Sequence, residues 1–499
     1  MRLKTLHGEM EMYRRQRTNQ LTLDDFILPF NGKLNAENQW VKLSELMPWD
    51  EIEEEYLKSF KKKSNKGQKS IDSRVAFGAL YIQMKYSFTD EDTTQQICDN
   101  PYFQYFLGYK EFTLTPPFDT SMMTYFRKRI DKDFILKITE SVFASKNKND
   151  NNKGSGDLKD EKDENDNEDK KPEKKGILML DATCAPSDIT YLTDIKLLNE
   201  TREILEEVID ELYEQVKEKY KAKPRTYRKE ARENYLVLAK QRKKSYKKIR
   251  IVIKKQLQYV DRDFGHISDL IQKGAKTAKL TRHMKENLKT CRKIYLQQKK
   301  MYDSNSHSTE DRIVSVSQPY VRPIVRGKAG KDVEFGPKIA ISLINGYAFI
   351  DRLSFNSFNE GILLKEAVKN FYNRTGYYPE AILADHIYRN RVNRNFCKKN
   401  GIRLSGPKLG RRIVRESAAE LKQAYKDACD RNAVESIFGV CKRKYGLNRI
   451  MAHLDSTTEC LVAMNFFVYN MEKKLRLLFA LFFRSLILLK DYHRIVCIF

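Results

Sequence analysis

A chain of 499 residues that is 41% hydrophobic and 32% charged has room for roughly two to four globular domains and a sizeable core. Its formal net charge of +26 sets a polyanion as the expected partner, nucleic acid first and a membrane surface second. Eight cysteines without a CxxC pair and seven dispersed histidines exclude a zinc site of ordinary spacing and point to reduced thiols in a cytoplasmic protein.

The opening "MRLKTLHGEMEMYRRQRTNQ" has no apolar signal-peptide core. Residues 1–145 read as a helical N-terminal domain. In "DSRVAFGALYIQMKYSFTDEDTTQQICDNPYFQYFLG" apolar residues recur at helical spacing, with breaks at Asp90–Asp92 and at Asn100-Pro101. "PPFDTSMMTYFRKRI" predicts a capped helix whose last turn carries Arg127, Lys128 and Arg129. Short helices ending in a basic one fit a helix-turn-helix-like DNA-binding module, with these three residues on DNA, and fit a plain helical bundle equally well. Residues 146–175 contain a single apolar side chain, Leu158, and are expected to be a disordered charged linker.

In "KKGILMLDATCAPSD" an apolar run, Ile177–Leu180, reads as a buried strand that ends on Asp181. An unpaired carboxylate there is costly, so Asp181 needs a partner. Next comes a long helical insertion, about 195–315. Leu197, Leu198, Ile204, Leu205, Val208, Ile209, Leu212 and Val216 mark one face of its first helix. Between Lys217 and Lys300 there are 28 Lys/Arg against 7 Asp/Glu, a surplus of 21, with tyrosines interleaved. Such a block suits either a solvated face or a phosphate backbone, and the second is favoured.

From about 333 the period changes to that of strands. Asn345-Gly346 between two β-rich runs predicts a hairpin. An amphipathic helix closed by Gly376 follows, and then a second short strand ending in an acid, Ala381–Asp385. The order strand, hairpin, helix, strand gives a mixed sheet in which the two acid-bearing strands lie side by side. In "DACDRNAVESIFGVCKRKYGLNRI", Arg431, Glu435, Phe438 and Lys442 share one helical face, making Glu435 the candidate third acid. Asp188 and Asp194 read as loop and helix-cap residues, and His386 as a packing or phosphate-approaching neighbour of Asp385. Lys408, after another short strand, is a candidate DNA contact. The greasy stretch Leu477–Leu489, interrupted by Arg484, is too short to span a membrane and reads as part of a C-terminal apolar helix, 476–499.

The blocks "LDATCAPSDITYLTD", "LADHIY" and "RNAVESIFGVCKRKYGLNRI" resemble the DDE transposases of bacterial insertion sequences, of the InsH-like type. The third block meets the R-x3-E-x6-K core of that family's signature with Arg431, Glu435 and Lys442. The full signature has a tyrosine three positions before the arginine, where this chain has Ala428, with Tyr425 one helical turn earlier. The resemblance implies an α/β, RNase H-like catalytic core at 176–475, its mixed sheet interrupted by the basic helical insertion. It implies Asp181, Asp385 and Glu435 as catalytic metal ligands for two Mg²⁺ ions, or Mn²⁺, with Arg431, Lys442 and Lys408 on DNA. It further implies a nucleoid-associated homodimer that cleaves double-stranded DNA at terminal inverted repeats and joins the freed 3′-OH to target DNA, with no membrane partner. The rival expectations are a structure-specific nuclease with the same metal cage, and a non-catalytic DNA-binding remnant.

Overall fold

In the computed structural model, residues 26–28, 32–60, 70–143, 173–189, 193–243, 245–328, 331–406 and 417–496 are described, with backbone alone for 326–328, 331–332 and 482–496. The expected linker at 146–175 falls almost wholly outside them.

The apolar run that begins after Gly176 is a strand, β1 (Ile177–Cys184). Gly176 has φ +81°, a conformation glycine adopts without steric cost. The strand does not end on Asp181, as expected from the sequence. Ala182, Thr183 and Cys184 continue it by pairing with Ala340, Ile339 and Lys338. Small and β-branched side chains keep this antiparallel ladder going after the parallel ladder on the other side of β1 has stopped.

The remaining strands are β2 (Pro323–Lys328), β3 (Lys331–Phe335), β4 (Lys338–Ile344), β5 (Tyr347–Ser354), β6 (Ala381–Ala384) and β7 (Arg403–Leu404). Asn345 and Gly346 both take positive φ, 52° and 78°, as a two-residue hairpin turn whose twist matches its strands requires. The main sheet has the order β5-β4-β1-β6-β7, with β4 antiparallel to β1 and β6 parallel to it. The hairpin and the adjacency of the two acid-bearing strands therefore match expectation.

Among the described residues seven helices precede this sheet: α1 (Gln39–Leu46), α2 (Trp49–Lys58), α3 (Ser73–Tyr86), α4 (Asp90–Asp99), α5 (Pro101–Phe106), α6 (Met122–Arg129) and α7 (Lys132–Phe143). Four lie between β1 and β2: α8 (Asp194–Glu214), α9 (Arg228–Ala239), α10 (Tyr246–Gln272) and α11 (Arg282–Asp303). The last four are α12 (Leu364–Thr375), α13 (Arg391–Lys399), α14 (Ala418–Lys444) and α15 (Asp455–Val496).

The chain divides into two units, Met1–Ala185 with Lys338–Leu353 and Phe358–Phe499, and Pro186–Pro337 with Ser354–Ser357. In the first, Leu178, Leu180 and Ile382 pack on one side of the sheet against Val368 and Phe371 of α12 and Phe396 of α13. Gly376, at φ 80°, ends α12 in the left-handed conformation that its sequence position predicts. On the other side Ile339, Ile341 and Ile350 share one core with Val434 and Phe438 of α14, Phe467 of α15, and Trp40, Phe77, Phe126 and Ile135 of the N-terminal helices. Burying a side chain such as Phe467 contributes about 2–3 kcal/mol, so this shared core ties the N-terminal helices to the sheet.

The stretch Leu477–Leu489 is not a separate element; it continues α15. No helix among the described residues is long and apolar enough to cross a membrane. In the second unit the stripe Leu205, Val208, Ile209 and Leu212 of α8 packs on Val260, Ile267 and Leu270 of α10 and Ile294 of α11. This is the face its sequence spacing marks.

Strand β5 is an edge, and its free backbone groups need partners. Buried Asn470 of α15 supplies them: its Oδ1 accepts from the Ala348 amide and its Nδ2 donates to the Ala348 carbonyl, both at 2.8 Å. Lys473 donates to the Asn345 carbonyl at 2.8 Å, fixing the turn to the same helix. Asn470→Ala leaves a buried donor and acceptor unpaired. It should lower unfolding free energy by about 2–4 kcal/mol in urea titrations; a loss below about 0.5 kcal/mol would show that the edge does not depend on this pair.

Candidate active site

Side chains alternate across a strand, so Asp181 shares a face with Met179, toward α14, while Leu178 and Leu180 point to α12. The last parallel pair between β1 and β6 is Leu180–Ala384. Asp181 and Asp385 each come one residue later, at the same end of the parallel ladder. Helix α14 packs across both β1 and β6.

Asp181 is half-buried, and its Oδ1 accepts one hydrogen bond, from the Ala182 amide at 2.8 Å. Burial pushes its carboxyl up to about 6, against the pull of that amide; the Glu360 and Asp385 charges raise it further, and Arg431 lowers it. Asp385 behaves oppositely. Burial raises it, but hydrogen bonds from the His386 ring and amide, with the charges of His386 and Arg431, hold it below the usual carboxylate value. Its Oδ1 accepts from the His386 amide at 2.6 Å and lies 2.9 Å from His386 Nδ1.

The short turn His386–Tyr388 that follows Asp385 is buttressed from below. Asn393 donates to the carbonyls of Gly361, at 2.6 Å, and Tyr388, at 2.9 Å. A Cβ at Gly361 would lie 2.7 Å from the Ile387 carbonyl oxygen, so only glycine permits this approach.

On α14, Val434, Ile437, Phe438 and Cys441 are buried, and the opposite side carries the charges. Arg431 Nη1 lies 3.4 Å from Asp385 Oδ1 and its Nη2 lies 3.8 Å from Glu435 Oε1, so one guanidinium stands between the two acids. The Glu435 side chain is 63% exposed. Among the described residues no three of His, Cys, Asp and Glu are gathered closely enough to hold a metal ion. The expected trio is thus a pair, Asp181 and Asp385, with Glu435 linked to it through Arg431.

The pair suits a hard divalent cation. Its donors are carboxylate oxygens, and Asp181 carries a charge that burial and two neighbouring acids disfavour, a conflict that a cation relieves. Glu360 was missed in the sequence. It pairs with Lys338 at 2.7 Å and bears on Asp181 electrostatically. In the sequence it reads as an ordinary acid in the first turn of a helix, after Asn359, whose side chain caps that turn. Its one signal was that the turn precedes the helix leading into the Asp385 strand.

Other expected site residues have different surroundings. Arg127 turns inward, with Nη2 2.6 Å from Asp90 Oδ2 and Nη1 3.0 Å from Gln83 Oε1. Arg129 lies over the Phe60 ring at 4.1 Å and donates to Ser70, while Lys128 stands over Tyr125 at 5.6 Å. Lys442 is in the last turn of α14. Lys408 lies outside the described residues. Thr193, rather than Asp194, caps α8, accepting from the Lys196 amide at 3.3 Å. Tyr425, the tyrosine nearest the expected signature position, is exposed.

A family described as "Transposase DDE domain" matches residues 382–472, which include Asp385, Arg431, Glu435 and Lys442. A second, "Transposase domain (DUF772)", matches residues 29–129, including Arg127, Lys128 and Arg129. These two matches, in separate parts of the chain, support the resemblance to the DDE transposases of insertion sequences. An "uncharacterized protein ORF8 in nfe locus" of Rhizobium meliloti is 24% identical over 173 residues, 34% of this chain and 73% of that protein. No solved structure matches. Asp181 lies outside both matched segments, so its place beside Asp385 rests on strand register. For a transposase the substrate is DNA, and the first matched segment contains Asp385 and Glu435.

The raised Asp181 value has a consequence for folding. Ionisation begins near 3.8 in the unfolded chain but near 6 in the fold, so stability falls as pH rises between these values and the penalty is complete above the second. In metal-free buffer, Asp181→Asn should therefore raise unfolding free energy at pH 8, by up to about 2–3 kcal/mol, and leave it unchanged at pH 3.5. Destabilisation at pH 8 would contradict this placement.

Proposed function

We propose that this transposase cleaves phosphodiester bonds at the ends of its element and joins the freed 3′-OH to target DNA, using Mg²⁺ held by Asp181, Asp385 and Glu435 in an RNase H-like core. The observation that carries this reading is the position of Asp181 and Asp385, each one residue beyond the last parallel pair of β1 and β6. The sheet order supports the fold assignment: the first strand is central, flanked by an antiparallel hairpin on one side and a parallel crossover strand on the other.

Bound Mg²⁺ would polarise the scissile phosphate and lower the pKa of a coordinated water. The chain's own residues do the rest. Asp181 and Asp385 present hard oxygens at one sheet end. Arg431, between Asp385 and Glu435, is placed to exchange a carboxylate for a substrate phosphate oxygen, which frees Glu435 to complete the acid set. Lys442, two turns further along α14, adds positive charge for the DNA backbone, and Lys128 and Lys408 are further candidates. His386, hydrogen-bonded to Asp385, orients that carboxylate.

In the first reaction a water oxygen attacks phosphorus in line, and the 3′ oxygen leaves and takes a proton. In the second that 3′-OH attacks a target phosphodiester and displaces its 3′ oxygen, with no covalent bond to the protein. Two ends must meet for coordinated joining, which implies a dimer on DNA.

Asp181→Ala should reduce Mg²⁺-dependent nicking of DNA carrying the inverted repeats by about a thousandfold or more, while mobility-shift binding of the same DNA persists. Retained Mg²⁺-dependent nicking by that variant would falsify the assignment. Joining of a pre-cleaved end to a target plasmid separates the transposase from a nuclease that only cuts: the proposal expects joined product, and cleavage alone would contradict the strand-transfer part.

A further inference from the structure

The insertion holds one long basic stretch free of acids. From Asn234 to Val260 there are nine Lys/Arg (240, 242, 243, 244, 247, 248, 250, 254 and 255) and no Asp or Glu. Much of this block is the first half of α10, whose first turn carries Lys247 and Lys248 and no acid. That arrangement opposes the helix dipole, which favours anions at an N-terminus. Lysines accumulated against the dipole, on exposed positions, make a strong field for an anion that this stretch of sequence does not provide. Among the described residues neither Lys247 nor Lys254 has a hydrogen-bond or ion-pair partner.

This face is also not purely ionic. Lys247, Arg250 and Lys254 border an open groove of about 630 Å³ together with Tyr246, Ile251 and Tyr302 of α11. Tyr246 and Ile251 are 49% and 50% exposed in the middle of the charged patch. Arg250 lies over the Tyr302 ring at 4.3 Å and donates to Asn305 at 2.6 Å, so its guanidinium is fixed over that ring at the groove. A DNA duplex offers such a surface only phosphates and would leave the aromatic and aliphatic floor against water. An unpaired strand offers phosphates to the lysines and base faces to tyrosine, isoleucine and the Arg250 plane.

We infer that the groove between the start of α10 and the end of α11 binds a single strand of DNA, with its backbone along Lys247 and Lys254 and a base stacked over Tyr246 and Arg250. The site lies in the second unit and uses none of the residues of the carboxylate pair, so its failure would leave the cleavage reading untouched.

The test is binding by the full-length protein, without metal, of a fluorescent 20-nucleotide thymidine strand and of a 20-base-pair duplex, by anisotropy across a salt series. In the Lys247→Ala/Lys254→Ala variant, the slope of log affinity against log salt should fall by about 1.4 for the single strand, from two lost phosphate contacts. Tyr246→Ala should weaken single-strand binding on the order of tenfold, and Tyr246→Phe, which keeps the ring but not the hydrogen bond to Asn305, should restore it. Duplex affinity should change by less than about twofold in the tyrosine variants. An unchanged slope in the lysine variant would overturn the inference. So would an equal loss of duplex and single-strand binding in Tyr246→Ala, or a failure of Tyr246→Phe to restore it.

Discussion

The parallel pairing of β1 with β6 is the constraint on which the rest of the first unit depends. It forces two aspartates to the same end of the parallel ladder, with a third acid, Glu360, close enough to raise Asp181. The chain offers little to offset this crowding. Arg431 is 3.4 Å from Asp385, and Lys338 is already paired with Glu360. A fold selected for stability alone would place an apolar residue at position 181, between Leu180 and Ala182. In the function proposed here the partner of that charge is a cation.

Helix α14 links that site to the core. One side contributes Val434, Ile437, Phe438 and Cys441 to the largest hydrophobic cluster, and the other carries Arg431 and Glu435. The same cluster holds α15 and the N-terminal helices, and α15 also closes the sheet edge through Asn470. The rigid placement of the acids is therefore supported from both sequence ends of the chain. The second unit has its own core, built on α8, and its stretch from Lys217 to Lys300 carries 21 of the chain's 26 surplus positive charges.

Much of this was legible in the sequence because the signals were local. Asn345-Gly346 predicts its hairpin through backbone conformation alone, and Gly376 its helix end. The apolar stripe of α8 and the split faces of α14 follow from spacing. What was not legible depended on neighbours distant in sequence. β1 runs past Asp181 because β4 offers it a partner as far as Lys338. Glu360 looks like a helix-capping acid until the fold brings it toward Asp181. Arg127 looks like a surface cation at a helix end, yet Asp90 and Gln83 draw it inside. The position of Glu435 belongs to the same class: helical spacing puts it on the correct face, but Arg431 decides what it touches.

The central claim is that Asp181 and Asp385 share a divalent cation. Crystals grown with Mn²⁺ and a DNA end would test it through the anomalous signal of the metal. The account predicts a peak within about 2.0–2.4 Å of oxygens of both Asp181 and Asp385, with the Glu435 carboxylate drawn in and Arg431 on a phosphate. A metal bound elsewhere, or a DNA complex with no metal between the two aspartates, would contradict it.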